Sequence, residues 1–298
     1  MMAPDVTIGL PVRNGGEGLE RAIHSLLSQS YPHFALIISD NASDDGGVTE
    51  AICRRFAAAD PRIRYIRQAA NLGNPGNFRF TLMEASTPYF MWAAHDDEWA
   101  PDFIAATRAV LEADPAAVAC APEVLIVEPD GATRRSTETG AIVGVPAQRL
   151  RHFFWKLGDC SRFYALHRTD ALRRSFPEDA MVFGFDWIVC ALSLVQGHHR
   201  AVDRVLLTRA GQADGHYFRT LLRHEPNLVD RLLPFRRFTL RLRRHLPPAL
   251  WRASWRLILR LNLVQGCNLL VHRLPMVRPA VRSLSWIEAR LRTGWAPR

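Results

Sequence analysis

Asp96 and Asp97 stand side by side, with Glu98 next, at the end of the apolar run Tyr89–Ala94. Adjacent carboxylates repel, so this stretch is built for a partner that is positive or donates hydrogen bonds. Hard divalent cations such as Mg2+ or Mn2+ meet that need. They take oxygen ligands, often only one or two from the protein, and leave the rest to water and substrate phosphates. The structural alternative is that these acids favour the start of the helix that follows. A further carboxylate, Asp40, opens the stretch DNASDD at the end of another apolar run. Such a group can accept the imide N–H of a uracil or thymine, or the N–H pair of a guanine. The plain alternative is an Asx-turn.

The elements that must position these residues are regular. Apolar runs at Val6–Leu10, Phe34–Ser39, Ile63–Arg67, Tyr89–Ala94 and Ala117–Cys120 read as strands. They alternate with helical periodicity over Gly16–Ser28, Val48–Ala58, Asn77–Ala85 and Pro101–Ala113. This alternation predicts an α/β fold with a mostly parallel sheet flanked by helices on both faces. Ligands bind such sheets at the carboxyl ends of the strands. Pro11–Asn14, Asp40–Asp44 and His95–Glu98 all lie just past predicted strand ends and are expected on one rim. From about residue 122 the pattern changes. EVLIVEPDGATRR predicts a hairpin turning at Asp130-Gly131. A short helix over Pro146–His152, a strand over Arg162–His167, an apolar helix over Trp187–Gln196 and a last strand over Arg200–Leu207 follow.

Composition narrows the classes. With 298 residues and 48% apolar content, the chain can bury one large domain and an appendage, or two small domains. Its 5 cysteines are scattered and form no CxxC pair, which predicts reduced thiols rather than a disulfide framework or zinc site. The opening MMAPDVTIGLPV reads as a first strand, so no signal peptide is expected. No run approaches the roughly 20 apolar residues of a spanning helix. The stretch NGGEG does not supply the GxGxxG of a dinucleotide site, and the single lysine, in FWKLG, excludes a P-loop. Two neighbouring aspartates are a poor match for the separated carboxyl pair of a glycoside hydrolase.

Three stretches together, VTIGLPVRNGGEGLERAIHSLLSQSYPHFALIISDNASDD, RIRYIRQAANLGNPGNF and YFMWAAHDDEWAPDF, resemble a family 2 glycosyltransferase of the GT-A fold. The resemblance covers about residues 5 to 115 in order and weakens towards 210. It implies a Rossmann-like GT-A domain over 1–217, with a nucleotide-sugar-binding half at 1–121 and an acceptor half at 122–217. Inverting transfer from a nucleoside-diphosphate sugar to a glycan or lipid-linked glycan of a surface polysaccharide is the implied activity, with Mg2+ or Mn2+ as cofactor. By position, Pro11 and Val12 would line the base, Asp40 would bind it, Asn71 would sit beside the nucleotide, Asp96 would contact the ribose, and Asp97 would bind metal and diphosphate. Asp186, in MVFGFDWIVCAL, falls where inverting members place a general base, with Phe185 in place of a common glutamate. Its alternative is an N-cap. A histidine after the last strand often completes the metal site in the family. Here Gly211 occupies that neighbourhood and His216 is offset from it. The rival to an enzyme is a nucleotide-sugar-binding or scaffold protein that kept the fold without turnover.

Charge divides the chain. Residues 218–298 carry 17 arginines and no lysine against Glu225, Asp230 and Glu288, a net +14, whereas residues 1–217 carry 21 basic against 26 acidic residues, a net −5. Arg252, Arg256 and Arg260 recur every fourth residue, with Leu250, Leu257, Ile258 and Leu261 on the opposite face and Trp251, Trp255 and Trp286 nearby. This basic helical extension suits an anionic membrane surface first. Packing on the catalytic domain comes second, and nucleic acid is a distant third. The expected location is cytoplasmic, peripheral on the inner face of the membrane.

Overall fold

The computed structural model describes residues 3–211, 229–230 and 233–273. Its nine strands are β1 (Val6–Val12), β2 (Phe34–Asp40), β3 (Ile63–Arg67), β4 (Tyr89–Trp92), β5 (Glu98–Trp99), β6 (Ala117–Val127), β7 (Thr133–Arg135), β8 (Leu166–Arg168) and β9 (His198–Ala210). They form one sheet in the order β3-β2-β1-β4-β8-β6-β9-β5, with β7 paired to β6. The first four strands run parallel, as do β6 and β9, while β8 pairs antiparallel with both β4 and β6. The helices are α1 (Gly16–Leu27), α2 (Val48–Ala59), α3 (Gly73–Met83), α4 (Phe103–Ala113), α5 (Pro146–Trp155), α6 (Thr169–Arg174), α7 (Phe185–Gln196), α8 (Arg236–His245) and α9 (Pro248–Arg273).

The sequence explains the core. β1 is buried along its whole length, as a parallel strand covered on both faces must be. Leu19, Ala22, Ile23 and Leu26 form the stripe by which α1 packs, at the predicted helical spacing. Gly9 lets α3 and β4 close on β1: a Cβ there would stand 2.6 Å from Thr81 Oγ1 and 2.7 Å from the Phe90 ring. The two halves share an aromatic core, in which Trp92 of β4 stacks on Phe163 with centroids 4.2 Å apart. The Trp92 indole N–H donates to the Phe78 carbonyl at 2.9 Å.

Two expectations needed correction. The segment 162–167 is not one strand: Ser161–Tyr164 coil into a 3-10 turn, and β8 begins only at Leu166. Cys160 starts that coil in the left-handed region at φ 54°, and the Arg162 guanidinium turns inward onto the carbonyls of Glu138 and Gly140. β6, a strand of 11 residues, runs on through residue 121. Finally, Leu257, Ile258 and Leu261 are not free to meet a membrane. They are buried in one core cluster with Leu150, Phe153 and Phe154 of α5, and Leu250 packs against it. The apolar area hidden this way is already supplied by protein. What α9 leaves exposed is a narrower line, Trp255, Leu259 and Leu263, and α8 adds Leu240. The basic segment is also tied to the acidic body: Arg241, Arg244 and His245 all converge on Asp179. All five cysteines are free, and four of them are buried.

Candidate functional site

The sheet register builds the first part of the site. Val12 lies opposite Asp40 in the β1–β2 ladder, and the Asn41 N–H donates to the Val12 carbonyl at 2.8 Å. Pro11 and Val12 are buried, so they offer backbone and packing rather than exposed side chains. Asp40 is fully buried. One of its oxygens accepts the Ser43 N–H at 2.9 Å, while the other accepts the Tyr65 hydroxyl at 2.9 Å and Arg67 Nη1 at 2.7 Å. Burial and that contact raise the Tyr65 pKa and keep the phenol protonated. Asn71 closes the same rim: its Oδ1 accepts Asn41 Nδ2 at 2.9 Å and the Gly73 N–H at 2.8 Å, which fixes the turn into α3.

The acidic pair beyond β4 is split by its surroundings. Asp96 is exposed. Asp97 is only 2% exposed, and both its oxygens are taken. Oδ1 accepts the Ala210 N–H at 3.0 Å, and Oδ2 faces Arg209 Nε at 3.4 Å. Burial pushes the Asp97 carboxyl up to about 6, with Asp96 adding to the rise while Arg209 and the Ala210 N–H oppose it. Asp97 therefore clasps the end of β9. Among the described residues no group of three or more His, Cys, Asp or Glu side chains gathers into a metal cage. Asp96 remains as the free carboxylate, and that donor set fits a hard cation brought in on substrate phosphates better than one resident in the protein. His216 lies outside the described residues.

Across from this rim, α7 opens with Gly184 in the left-handed region at φ 78°, and Gly184, not Asp186, is the N-cap. Asp186 stands in the first turn, where its Oδ1 accepts the Trp187 N–H at 2.9 Å. Burial raises its pKa, against a contact from the Cys160 thiol and the nearby Arg209 charge, which lower it. It lines a cavity of about 490 Å³ together with Asn74, Tyr164, Gly184, Arg209 and Gly211. Pro11, Asp40, Asn71 and Asp96 do not line that cavity among the described residues.

Arg209 connects the two parts. Besides Asp97 it donates to the Asp159 carbonyl and to Ser161 Oγ, both at 3.0 Å, and its guanidinium stacks over Tyr164 at 4.6 Å. Asp159 in turn accepts from Ser136, Ser161 and Arg134. Despite burial, the carboxylate and phenol around it raise the Arg209 pKa, so it stays charged. Sequence reasoning missed Arg209, Tyr164 and Asp159. No local signal in LLTRAG marks that arginine as facing inward.

The family model described as Glycosyl transferase family 2 matches residues 7–176. The putative teichuronic acid biosynthesis glycosyltransferase TuaG of Bacillus subtilis (strain 168) is 32% identical over 99 residues, covering 33% of this chain and 38% of that protein. The chain spans between 14% and 38% of the length of the curated relatives it matches. In structure it is similar to S. aureus TarS 1-349 in complex with UDP-GlcNAc, with a TM-score of 0.61 at 14% identity over 82% of this chain and 66% of that one. It is also similar to the mannosyltransferase PcManGT from Pyrobaculum calidifontis in complex with GDP-Man and Mn2+, with a TM-score of 0.59 at 19% identity over 98% and 81% of the two chains. At those identities the likeness is one of fold, and the fold is GT-A.

The division of labour within the acidic pair is testable. Asp97→Ala removes the one carboxylate side chain that contacts the half-buried Arg209 and the acceptor of the Ala210 N–H, and is expected to cost about 3 kcal/mol of stability. Asp96→Ala is expected to leave the melting temperature unchanged. Thermal unfolding of the two variants checks this, and equal melting temperatures would show that Asp97 is no clasp.

Proposed function

We propose that this chain, which belongs to glycosyl transferase family 2, moves a sugar with inversion from a nucleoside-diphosphate donor to a hydroxyl of a glycan or lipid-linked glycan. The observation that carries the reading is Asp186, a carboxylate with a raised pKa on the wall of a cavity that Arg209 ties to the strand-end acid Asp97. The similarity to TuaG, a putative teichuronic acid biosynthesis glycosyltransferase, supports a place in surface polysaccharide synthesis, and the UDP-GlcNAc and GDP-Man held by the two similar structures support a donor of that class.

In this reading Asp186 accepts the acceptor's hydroxyl proton as the acceptor oxygen attacks the anomeric carbon opposite the leaving group. One C–O bond forms, and the bond to the diphosphate breaks with its electron pair leaving on the nucleotide. A base must be ionised to take a proton, and burial alone would weaken that form. The Cys160 and Arg209 contacts offset part of the penalty. Pro11 and Val12 shape the base site through backbone. Asp40 acts there with Arg67, since a base N–H reaches that carboxylate only by sharing an oxygen already in use. Asn71 holds the turn beside it. Mg2+ or Mn2+, when bound, would offset charge growing on the departing diphosphate, and Asp96 is the residue placed to hold it.

A membrane-surface role for the basic segment rests on Trp255, Leu259 and Leu263 rather than on the buried leucines. The three fall on one face of α9, beside exposed Arg252 and Arg256, and α8 and α9 contain no acidic residue. No helix among the described residues is long and apolar enough to cross a membrane.

Two experiments test these readings. A thermal-shift screen of nucleotide sugars with and without Mn2+ identifies the donor. With it, Asp186→Asn is expected to lower kcat by roughly 10²–10⁴-fold while donor binding holds. In the unmodified enzyme the rate should fall as pH drops through a value above the ordinary carboxylate range, because that is where the raised Asp186 takes up its proton. Unchanged turnover in the variant would remove Asp186 as base. For the tail, flotation with anionic vesicles is expected to be salt-sensitive and lost when Trp255, Leu259 and Leu263 are all changed to serine. Undiminished flotation of that variant, or none for the unmodified chain, would overturn the surface assignment.

A further inference from the structure

Two neighbouring cavities lie outside the site above. One, of about 480 Å³, is lined by Thr137, Trp155, Lys156, Leu157 and, from α9, Arg260. The other, of about 160 Å³, shares Thr137 and Lys156 with it and reaches His152, Glu138 and Arg162. Lys156 is the one lysine of the chain and is exposed at the end of α5. The Arg260 guanidinium sits 5.0 Å from the Trp155 ring centroid. Three cations thus face a cleft whose remaining wall is largely apolar.

Arg162 is the informative residue. It is 2% exposed, and its Nη2 donates to the carbonyls of Glu138 and Gly140. Its Nε and Nη1 are buried and meet no hydrogen-bond partner. A guanidinium left with two unfilled N–H edges in the interior is costly, so the arrangement is suited to an oxyanion. The only carboxyl lining either cavity among the described residues is Glu138, and burial pushes it up to about 8. At neutral pH it is mostly protonated and adds a donor rather than a repelling charge. Its Oε2 likewise lacks a partner. Burial first, then the Lys156 and Arg162 charges, hold His152 below its usual range.

We propose that this double cleft is an anion site that binds a phosphate ester or diphosphate, with phosphoryl oxygens on Arg162, Lys156 and Arg260. The site is separate from the cavity of Asp186 but shares a wall with it. Gly158, whose N–H donates to Glu138 Oε1, also lines that cavity beside Asp159 and Cys160. The inference stands on its own geometry and does not require that Asp186 be a base.

Isothermal titration of the full chain with inorganic pyrophosphate and with hexyl phosphate tests it. The double variant Lys156→Gln/Arg260→Gln changes only side chains at the rim and is expected to weaken binding by about tenfold or more. Pyrophosphate held instead at the donor site would be indifferent to changes at Lys156 and Arg260, which separates this site from the transfer reaction. Tighter binding of hexyl phosphate than of pyrophosphate identifies an amphiphile's head group. The reverse order identifies a free phosphate, and either order supports the site. No binding of either probe, or equal binding by the double variant, overturns it. Should the double variant melt early, Lys156→Gln alone is read in its place against Lys156→Arg. Weakening by glutamine and recovery with arginine are then expected, and equal affinities overturn the proposal.

Discussion

One buried guanidinium holds the two parts of this site in register. Arg209 meets Asp97 on one side and the Asp159–Ser161 turn on the other, with Tyr164 beneath it. Each partner comes from a different segment: the loop after β4, the coil before β8, and the end of β9. The β5–β9 ladder, with Glu98 opposite Thr208, already ties the loop after β4 to β9, and the Arg209 side chain adds the coil before β8 to that pair. A buried ion pair is seldom worth much over a well-packed apolar contact, but breaking one is expensive. That asymmetry makes Arg209 a positioning element: departures from its geometry are penalised steeply even though the net gain in stability is small.

The same constraint explains why two adjacent aspartates behave differently. Both residues lie in the turn between β4 and β5, and their surroundings there separate them. Asp97 falls inward, where burial raises its pKa and Arg209 and the Ala210 N–H bind it. Asp96 falls outward and keeps its carboxylate for other partners. Of the paired acids one is a buried anchor and the other an exposed carboxylate. On the acceptor side Asp186 is held by the helix start at Gly184 and by aromatic packing. Trp187 stacks on Phe235 with centroids 5.2 Å apart, which brings the segment before α8 against the start of α7. The basic segment thus supports the wall that carries the candidate base.

Much of this was legible in sequence. The βα alternation placed Pro11, Asp40 and Asp96 at strand ends because apolar periodicity reports burial directly. The rim residues Val12, Asp40 and Asn71 do come together, through Asn41. Less legible were contacts made by side chains from distant segments. Nothing local in LLTRAG marks Arg209 as internal, because an arginine is usually exposed and its pairing depends on tertiary placement. For α9, helical periodicity marks an apolar face but not its partner. Leu257, Ile258 and Leu261 meet α5, and only Trp255, Leu259 and Leu263 remain outside. Likewise the coil at Ser161–Tyr164 depends on the left-handed Cys160, a conformation that residue type does not announce.

The central claim is that Asp97 and Arg209 act as one unit that sets the site. A double-mutant cycle on folding stability, built from Asp97→Asn, Arg209→Met and the pair together, measures this most directly. The account predicts a coupling of about 2 kcal/mol or more, with the double variant far less destabilised than the sum of the single ones. Single effects that add to within about 0.5 kcal/mol would mean that the two side chains are neighbours without being partners, and the account would fail.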